Sequence, residues 1–231
     1  MVNKIKSAFT LAEVLITLVV IGVVAALTIP TAVSKYRKTT VITRLKASYS
    51  TLSNAVRLSI AANGDIAGWD YDNFDNFLDK YFLPYIRNAK KSTDTNSSQI
   101  ILANGTVWKI TRKTNNTYSQ YTSWVGYWYI HIQADINGDA KPNKIGYDRF
   151  DFYILPYAAA YYNSGSDHIA VNVPSPGVYY DGYGIGNNNL KNSSYRGCKP
   201  NCDSSSLCNS YCIGRIIRNN WRIPDDYPFE F

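Results

Sequence analysis

Histidine is nearly absent from this chain of 231 residues, which has only His131 and His168. They sit in unrelated contexts, so we expect both to be structural or surface residues. There is no His pair and no Cys-x-x-Cys step. A nucleophile with its base and orienting group, or a paired-carboxylate signature, is also missing, and that inventory argues against an enzyme. Residues 182–186 are glycine-rich but lack the preceding strand, the following helix and the Lys-Ser/Thr pair of a phosphate loop. The formal charge is +7, yet Lys and Arg form no compact cluster. The basic balance permits acidic surfaces or nucleic acid as partners without demanding either. A solvated basic helix face accounts for it more simply.

What is present begins at Ser7 and runs to Pro30. From Phe9 to Ile29 the only charge is Glu13, and the stretch is long enough to cross a bilayer as a helix. Lys4 and Lys6 precede it, which keeps the N-terminus in the cytoplasm and sends the remainder outward. A carboxylate in such a span costs about 2.5–3.5 kcal/mol on insertion scales, so Glu13 calls for a partner and a purpose. Scission between Ala8 and Phe9 would supply both. It frees an α-amine on Phe9, and a neighbouring copy's Glu13 could meet that amine in a low dielectric, where the pair attracts far more strongly than in water.

The string KIKSAFTLAEVLITLVVIGVVAALTIP resembles the N-terminus of type IV pilins and type II secretion pseudopilins. The shared features are a short basic leader, a small residue before the cut, Phe9 after it, Glu13 four positions on, and a helix interrupted by Pro30. Ala8 stands where that family usually has glycine. The resemblance covers about the first quarter of the chain. It implies processing by a prepilin peptidase between Ala8 and Phe9, N-methylation of Phe9 by the same enzyme, and a cytoplasmic-membrane form with its N-terminus inside. It further implies assembly with identical or related subunits and the filament machinery into a periplasmic or cell-surface filament, with Phe9, Glu13 and Pro30 as the assembly residues. The main reading is therefore a structural subunit, a pilin or pseudopilin. The alternative is a minor subunit whose outer part binds a surface, DNA or a secreted substrate.

The expected organisation is a leader over 1–8, a transmembrane or filament-core helix over 9–30, an amphipathic continuation over 31–62, and an extracytoplasmic domain over 63–231. Ile42, Leu45, Tyr49, Leu52, Val56 and Ile60 make one apolar stripe at helical spacing, and Asn63-Gly64 is the stop. One helix of roughly 80 Å results, and Pro30 should kink or loosen it. A short helix fits Tyr71 to Phe82, and the polar stretch Lys90 to Ser98 reads as a loop. Residues 99–103 and 106–110 read as a hairpin around a type I′ turn at Asn104-Gly105. Further strands fit Trp124 to Ala134 and Arg149 to Leu155, and residues 156–197, rich in Tyr, Asn, Gly and Ser, read as a long excursion. The expected fold class is α+β and pilin-like, with the long helix packed on a mainly antiparallel sheet of about four strands.

Asp135, Asn137 and Asp139, with Asp148 beyond them, have the oxygen spacing of a calcium loop. Ala140 and Gly146 break the EF-hand pattern, and an Asx-rich turn satisfied by its own backbone is the competing account. The sequence points to no cofactor, with calcium at this loop as the alternative. The four cysteines, Cys198, Cys202, Cys208 and Cys212, allow a zinc site or two disulfides. The outward location favours disulfides, with the 198/202 limb linked to the 208/212 limb. Ile216 and Ile217 fit a closing strand, and Asp225-Asp226 a turn cap. Trp221, Ile223, Tyr227 and Phe229 can pin the C-terminal tail, whose string 221–228 also looks like a tail of some bacterial pilin-like proteins.

Overall fold

A computed structural model describes residues 10–70, 74–94, 97–114, 128–155, 161–162, 169–170, 177–180, 187–193, 196–200 and 208–231. The chain divides into two compact units, residues 1–40 with 230–231, and residues 41–229.

Helix α1 spans Leu11–Asn63 and runs unbroken across Pro30. Proline lacks an N–H, but the helix continues past the missing bond. In the first unit its apolar side chains are exposed from Leu11 through Val33. The helix is long and apolar enough to cross a membrane, by length and composition. It closes with the Gly64 N–H donating to the Ile60 carbonyl and Gly64 at a positive φ, the left-handed stop that glycine adopts without strain.

In the second unit α1 turns one face inward, built from Val41, Leu45, Ser48, Leu52, Ala55, Val56 and Ser59. This face is rotated from the apolar stripe expected from the sequence. Ile42 and Tyr49 lie at its margin, and two serines and an alanine sit at its centre. Small side chains let the helix approach the sheet, and the Trp108 Nε1–H donates to the Ser48 Oγ at 2.6 Å in the core. Tyr49 stacks on Phe152, and Arg44 donates to the Ile136 carbonyl.

The sheet has six strands, all antiparallel: β1 (Lys90–Asp94), β2 (Ser97–Ile101), β3 (Val107–Thr114), β4 (Trp128–Asp135), β5 (Arg149–Leu155) and, after two short strands β6 (Tyr161–Tyr162) and β7 (Ile169–Ala170) that pair with each other, β8 (Gly177–Tyr180). Alternation fixes the register. Trp108, Ala134 and Phe150 align across β3, β4 and β5, as do Ile110, Ile132 and Phe152, and all six are buried. The fold is α+β with a pilin-like layout.

Several expectations need correction. Lys90 to Asp94 is an edge strand rather than a loop; an edge strand with polar side chains has no apolar alternation to betray it. The hairpin turn is not type I′, because Gly105 has a positive φ while Asn104 does not. The Gly105 N–H donates to the Leu102 carbonyl, and the Leu102 N–H to the Thr106 carbonyl, which makes a three-residue loop with a glycine bulge. The short helix α2 is Phe74–Tyr81, and residues 156–197 contain β6, β7, β8 and the helix α3, Asn187–Asn192. The expected closing strand at Ile216-Ile217 is a helix, α4, Cys212–Arg218, with Ile213 and Ile216 buried. Tertiary packing overrides the β-propensity of the isoleucines here.

Candidate functional site

The chemistry of α1 begins at its first turn. Thr10 stands before the helix, and its N–H and Oγ1–H both donate to Glu13 Oε2 at 2.8 Å. The Glu13 N–H returns a bond to Thr10 Oγ1 at 3.3 Å. Thr10-x-x-Glu13 is thus a capping box, which satisfies donors that the helix start leaves open. The Thr-x-x-Glu spacing is the sequence signal for it, and it gives Glu13 a second partner beside a neighbour's amine. Around it Leu11, Val14, Leu15 and Leu18 are exposed, so a carboxylate anchored at the helix entrance heads an apolar surface that this unit leaves uncovered. Ala8 and Phe9 lie outside the described residues.

The loop after β4 builds itself around Asp148. This buried carboxylate accepts the backbone N–H groups of Asn143 at 2.8 Å and Lys144 at 2.6 Å, and Asn137 Nδ2 at 3.3 Å. Asp135 takes Arg149 Nε at 2.9 Å. Burial pushes its carboxyl above the usual carboxylate range, with Arg149 pulling the other way. Asp139 is exposed. Asp135, Asn137, Asp139 and Asp148 therefore do not converge as one cage, and among the described residues no group of three His, Cys, Asp or Glu is placed to hold a metal. Three buried oxygens, Asp135 Oδ1, Asn137 Oδ1 and Asn143 Oδ1, nonetheless find no donor among the described residues.

The C-terminal region packs on this loop. Cys198 and Cys212 form a disulfide that joins the two limbs of the cysteine segment. Cys208 is also disulfide-bonded, and Cys202 lies outside the described residues. Gly146, at a φ of 82°, abuts Cys212 so closely that a Cβ there would lie 2.9 Å from its Sγ. The Tyr227 hydroxyl donates to the Gly146 carbonyl, and burial pushes that phenol well above its ordinary value. Asp226 does not cap a turn; it bridges Lys191 of α3 at 2.7 Å and Arg215 of α4. Trp221 packs on Tyr49, and Phe229 packs edge-on against Tyr147 and Tyr227.

Strand pairing also assembles a cluster that sequence spacing could not show. On the sheet face away from α1, His131 Nε2 lies 3.0 Å from Asp151 Oδ1, and Nδ1 lies 3.5 Å from Thr111 Oγ1. Gln133 Nε2 donates to the same Asp151 oxygen, and Tyr153 stacks on the imidazole. The order hydroxyl, imidazole, carboxylate imitates a relay. The buried carboxylate, however, shares one oxygen between two donors, and the hydroxyl stands at the limit of hydrogen bonding. The cluster does the work of satisfying Asp151. His168 is outside the described residues.

With the geometry in place, the comparisons divide the chain at Pro30. A family of unknown function, DUF6613, matches residues 31–231. The chain belongs to that family. The prokaryotic N-terminal methylation motif matches residues 3–29, so this DUF6613 chain carries the prepilin-type signal of type IV pilins and pseudopilins and is a precursor of that type. Such a signal implies processing by a prepilin peptidase and membrane anchoring before assembly. No curated protein and no solved structure matches the chain.

Proposed function

We propose that this DUF6613 chain is a structural subunit of a pilin-type filament, either a type IV pilus or a type II secretion pseudopilus. Residues 1–8 are the leader, cleaved between Ala8 and Phe9. Residues 9–30 form the membrane span and later the filament core, residues 31–62 continue that helix, and residues 63–231 form the extracytoplasmic domain. The observation that carries the reading is the methylation motif on a helix whose apolar surface lies exposed behind Glu13. Such a surface needs either lipid or other helices to cover it. Methylated Phe9 supplies the amine, Glu13 the carboxylate that demands it, and Pro30 a helix turn short of one hydrogen bond. The role is one of assembly rather than catalysis.

Glu13 has two roles in this account, and substitution separates them. Glutamine keeps the capping geometry with Thr10 but not the charge. We expect Glu13→Gln and Glu13→Ala each to lower the yield of sheared filaments by about tenfold or more, with the melting temperature of the outer domain unchanged. Removing one partner of a buried ion pair costs about 3–5 kcal/mol, so tenfold is the lower bound. A normal yield from Glu13→Gln with a poor one from Glu13→Ala would make the residue a helix cap only, and normal yields from both would remove the assembly reading.

A further inference from the structure

Charge is segregated along this chain in a way that neither the core nor the methylation motif requires. Residues 31–63 carry Lys35, Arg37, Lys38, Arg44, Lys46 and Arg57 and no carboxylate. Residues 64–79, which follow directly, carry Asp65, Asp70, Asp72, Asp75 and Asp79 and no Lys or Arg. Within the unit 41–229 Asp79 is bridged by Lys91 at 2.9 Å, while Lys46 with Arg222 and Asp65 with Asp70 stand at two other places. The basic one borders a groove of about 470 Å3 between α1 and the turn after α4, lined by Ile42, Thr43, Lys46, Asn220, Trp221 and Arg222 among others. Lys46 and Arg222 are exposed at it. Asn220 and Trp221 both adopt left-handed backbone, at φ 54° and 59°, an uncommon conformation for a bulky side chain. That turn is tied by the Asn219 Nδ2 bond to the Arg222 carbonyl. The acidic place is the exit from α1. There Asp65 and Asp70 are exposed on either side of the small pair Ala67-Gly68, and a Cβ on Gly68 would meet nothing within 4 Å.

We infer that the groove at Lys46, Trp221 and Arg222 receives the acidic 65–70 turn of a second copy of this chain. From Lys46 to Asn63 the helix advances about 26 Å at 1.5 Å per residue. A copy shifted by that length along the helix axis brings its acidic turn level with the basic groove of its neighbour. Such contacts join unlike patches, and heterologous contacts that do not close build open helical arrays. Every copy in the proposed filament runs the same way, so the pairing of unlike signs sets the axial register. This inference rests on the filament reading, and it adds an interface outside the apolar helix core.

The test is charge reversal in full-length chains expressed in the native cell, with sheared-filament yield as the readout and circular dichroism melts as the control for folding. Lys46→Glu with Arg222→Glu should reduce the yield by about tenfold or more, since facing like charges are strongly unfavourable. Adding Asp65→Lys and Asp70→Lys to that chain should restore it. Asp65 also caps the 3-10 turn at Ile66–Gly68, so Asp65→Asn with Asp70→Asn, which keeps a capping side chain, serves as the acidic-side variant and should lower the yield alone. A full yield from Lys46→Glu/Arg222→Glu, beside a poor one from Glu13→Gln, overturns this interface and leaves the filament reading standing. Loss without rescue by the fourfold reversal, in a chain whose melt matches that of the parent, also overturns it, because the groove would then serve some other partner.

Discussion

Ser48 shows how a single polar atom can fix a helix in place. It is fully buried on α1 and accepts the hydrogen bond that the fully buried Trp108 indole N–H donates. Ser48→Ala removes the acceptor and strands the donor, at a cost of about 1–3 kcal/mol; urea denaturation of the outer domain measures it, and a change within about 0.5 kcal/mol would mean that the indole finds another acceptor. The inward face was only half legible from the sequence for the same reason. Leu45, Leu52 and Val56 were readable as apolar, but Ser48, Ala55 and Ser59 gain their burial from the sheet that approaches them, which no helical period encodes. Asp226 makes a second residue-scale case. The hydrogen bond from Lys191, followed by Arg215, holds its carboxyl below the usual carboxylate range against the opposing effect of burial. A lowered folded-state pKa contributes stability above the unfolded value and loses it as pH falls through the folded one. Thermal melts below about pH 4 should therefore show a shallower acid loss in Asp226→Asn than in the parent. The difference should be under about 1 kcal/mol, since the carboxylate is half exposed and screened. Asp135 runs the other way: its raised pKa means that its contribution shrinks as pH rises through the same region. An acid limb unchanged by Asp226→Asn would show that the bridge is carried by neither cation in solution.

Elements differ in how openly the sequence declares them. β5 was readable residue for residue, because Phe150, Phe152 and Ile154 alternate with Arg149, Asp151 and Tyr153 between an apolar core face and a polar face. β1 was not, since edge pairing needs backbone only, and α4 was misread because two isoleucines outweighed the disulfide that anchors Cys212. The 135–148 loop was recognised as Asx-rich, yet its organisation around Asp148 depends on backbone N–H groups whose direction no spacing reveals. Asp148→Asn replaces charge-assisted bonds with weaker ones and should lower stability by about 1.5–3 kcal/mol. Calcium discriminates the two accounts of the same loop. We expect the melting temperature to be equal in calcium and in EDTA, because the Asp148 carboxylate is already engaged by N–H donors. A calcium-dependent rise that disappears in Asp135→Asn would instead place the ion at the undonated oxygens of Asp135, Asn137 and Asn143.

At the scale of the whole molecule, two physical tasks are written into one chain. The unit 41–229 satisfies itself: it buries the helix face against a sheet, staples its cysteines and ties its tail through Tyr227 and Asp226. The helix from Leu11 to Val33 does the reverse, displaying apolar side chains with a single carboxylate at their head. The filament we propose resolves that difference by sequence of events, first with lipid around the helix and then with neighbouring helices. The step that starts it is covalent, so its trace is in the mass of the mature chain. Intact mass spectrometry with N-terminal sequencing, on protein from the native cell's membranes, should find a start at Phe9 heavier by one methyl. Ala8 makes the measurement decisive, because the side chain before the cut is one methyl larger than the glycine usual in such leaders. Uncut chain beginning at Met1 would show that this methyl blocks the peptidase and would leave Glu13 without the amine that the proposed assembly requires. A start at Leu27 would mean cleavage after Ala26, loss of Glu13 and its cap together, and release of the 41–229 unit without an anchor.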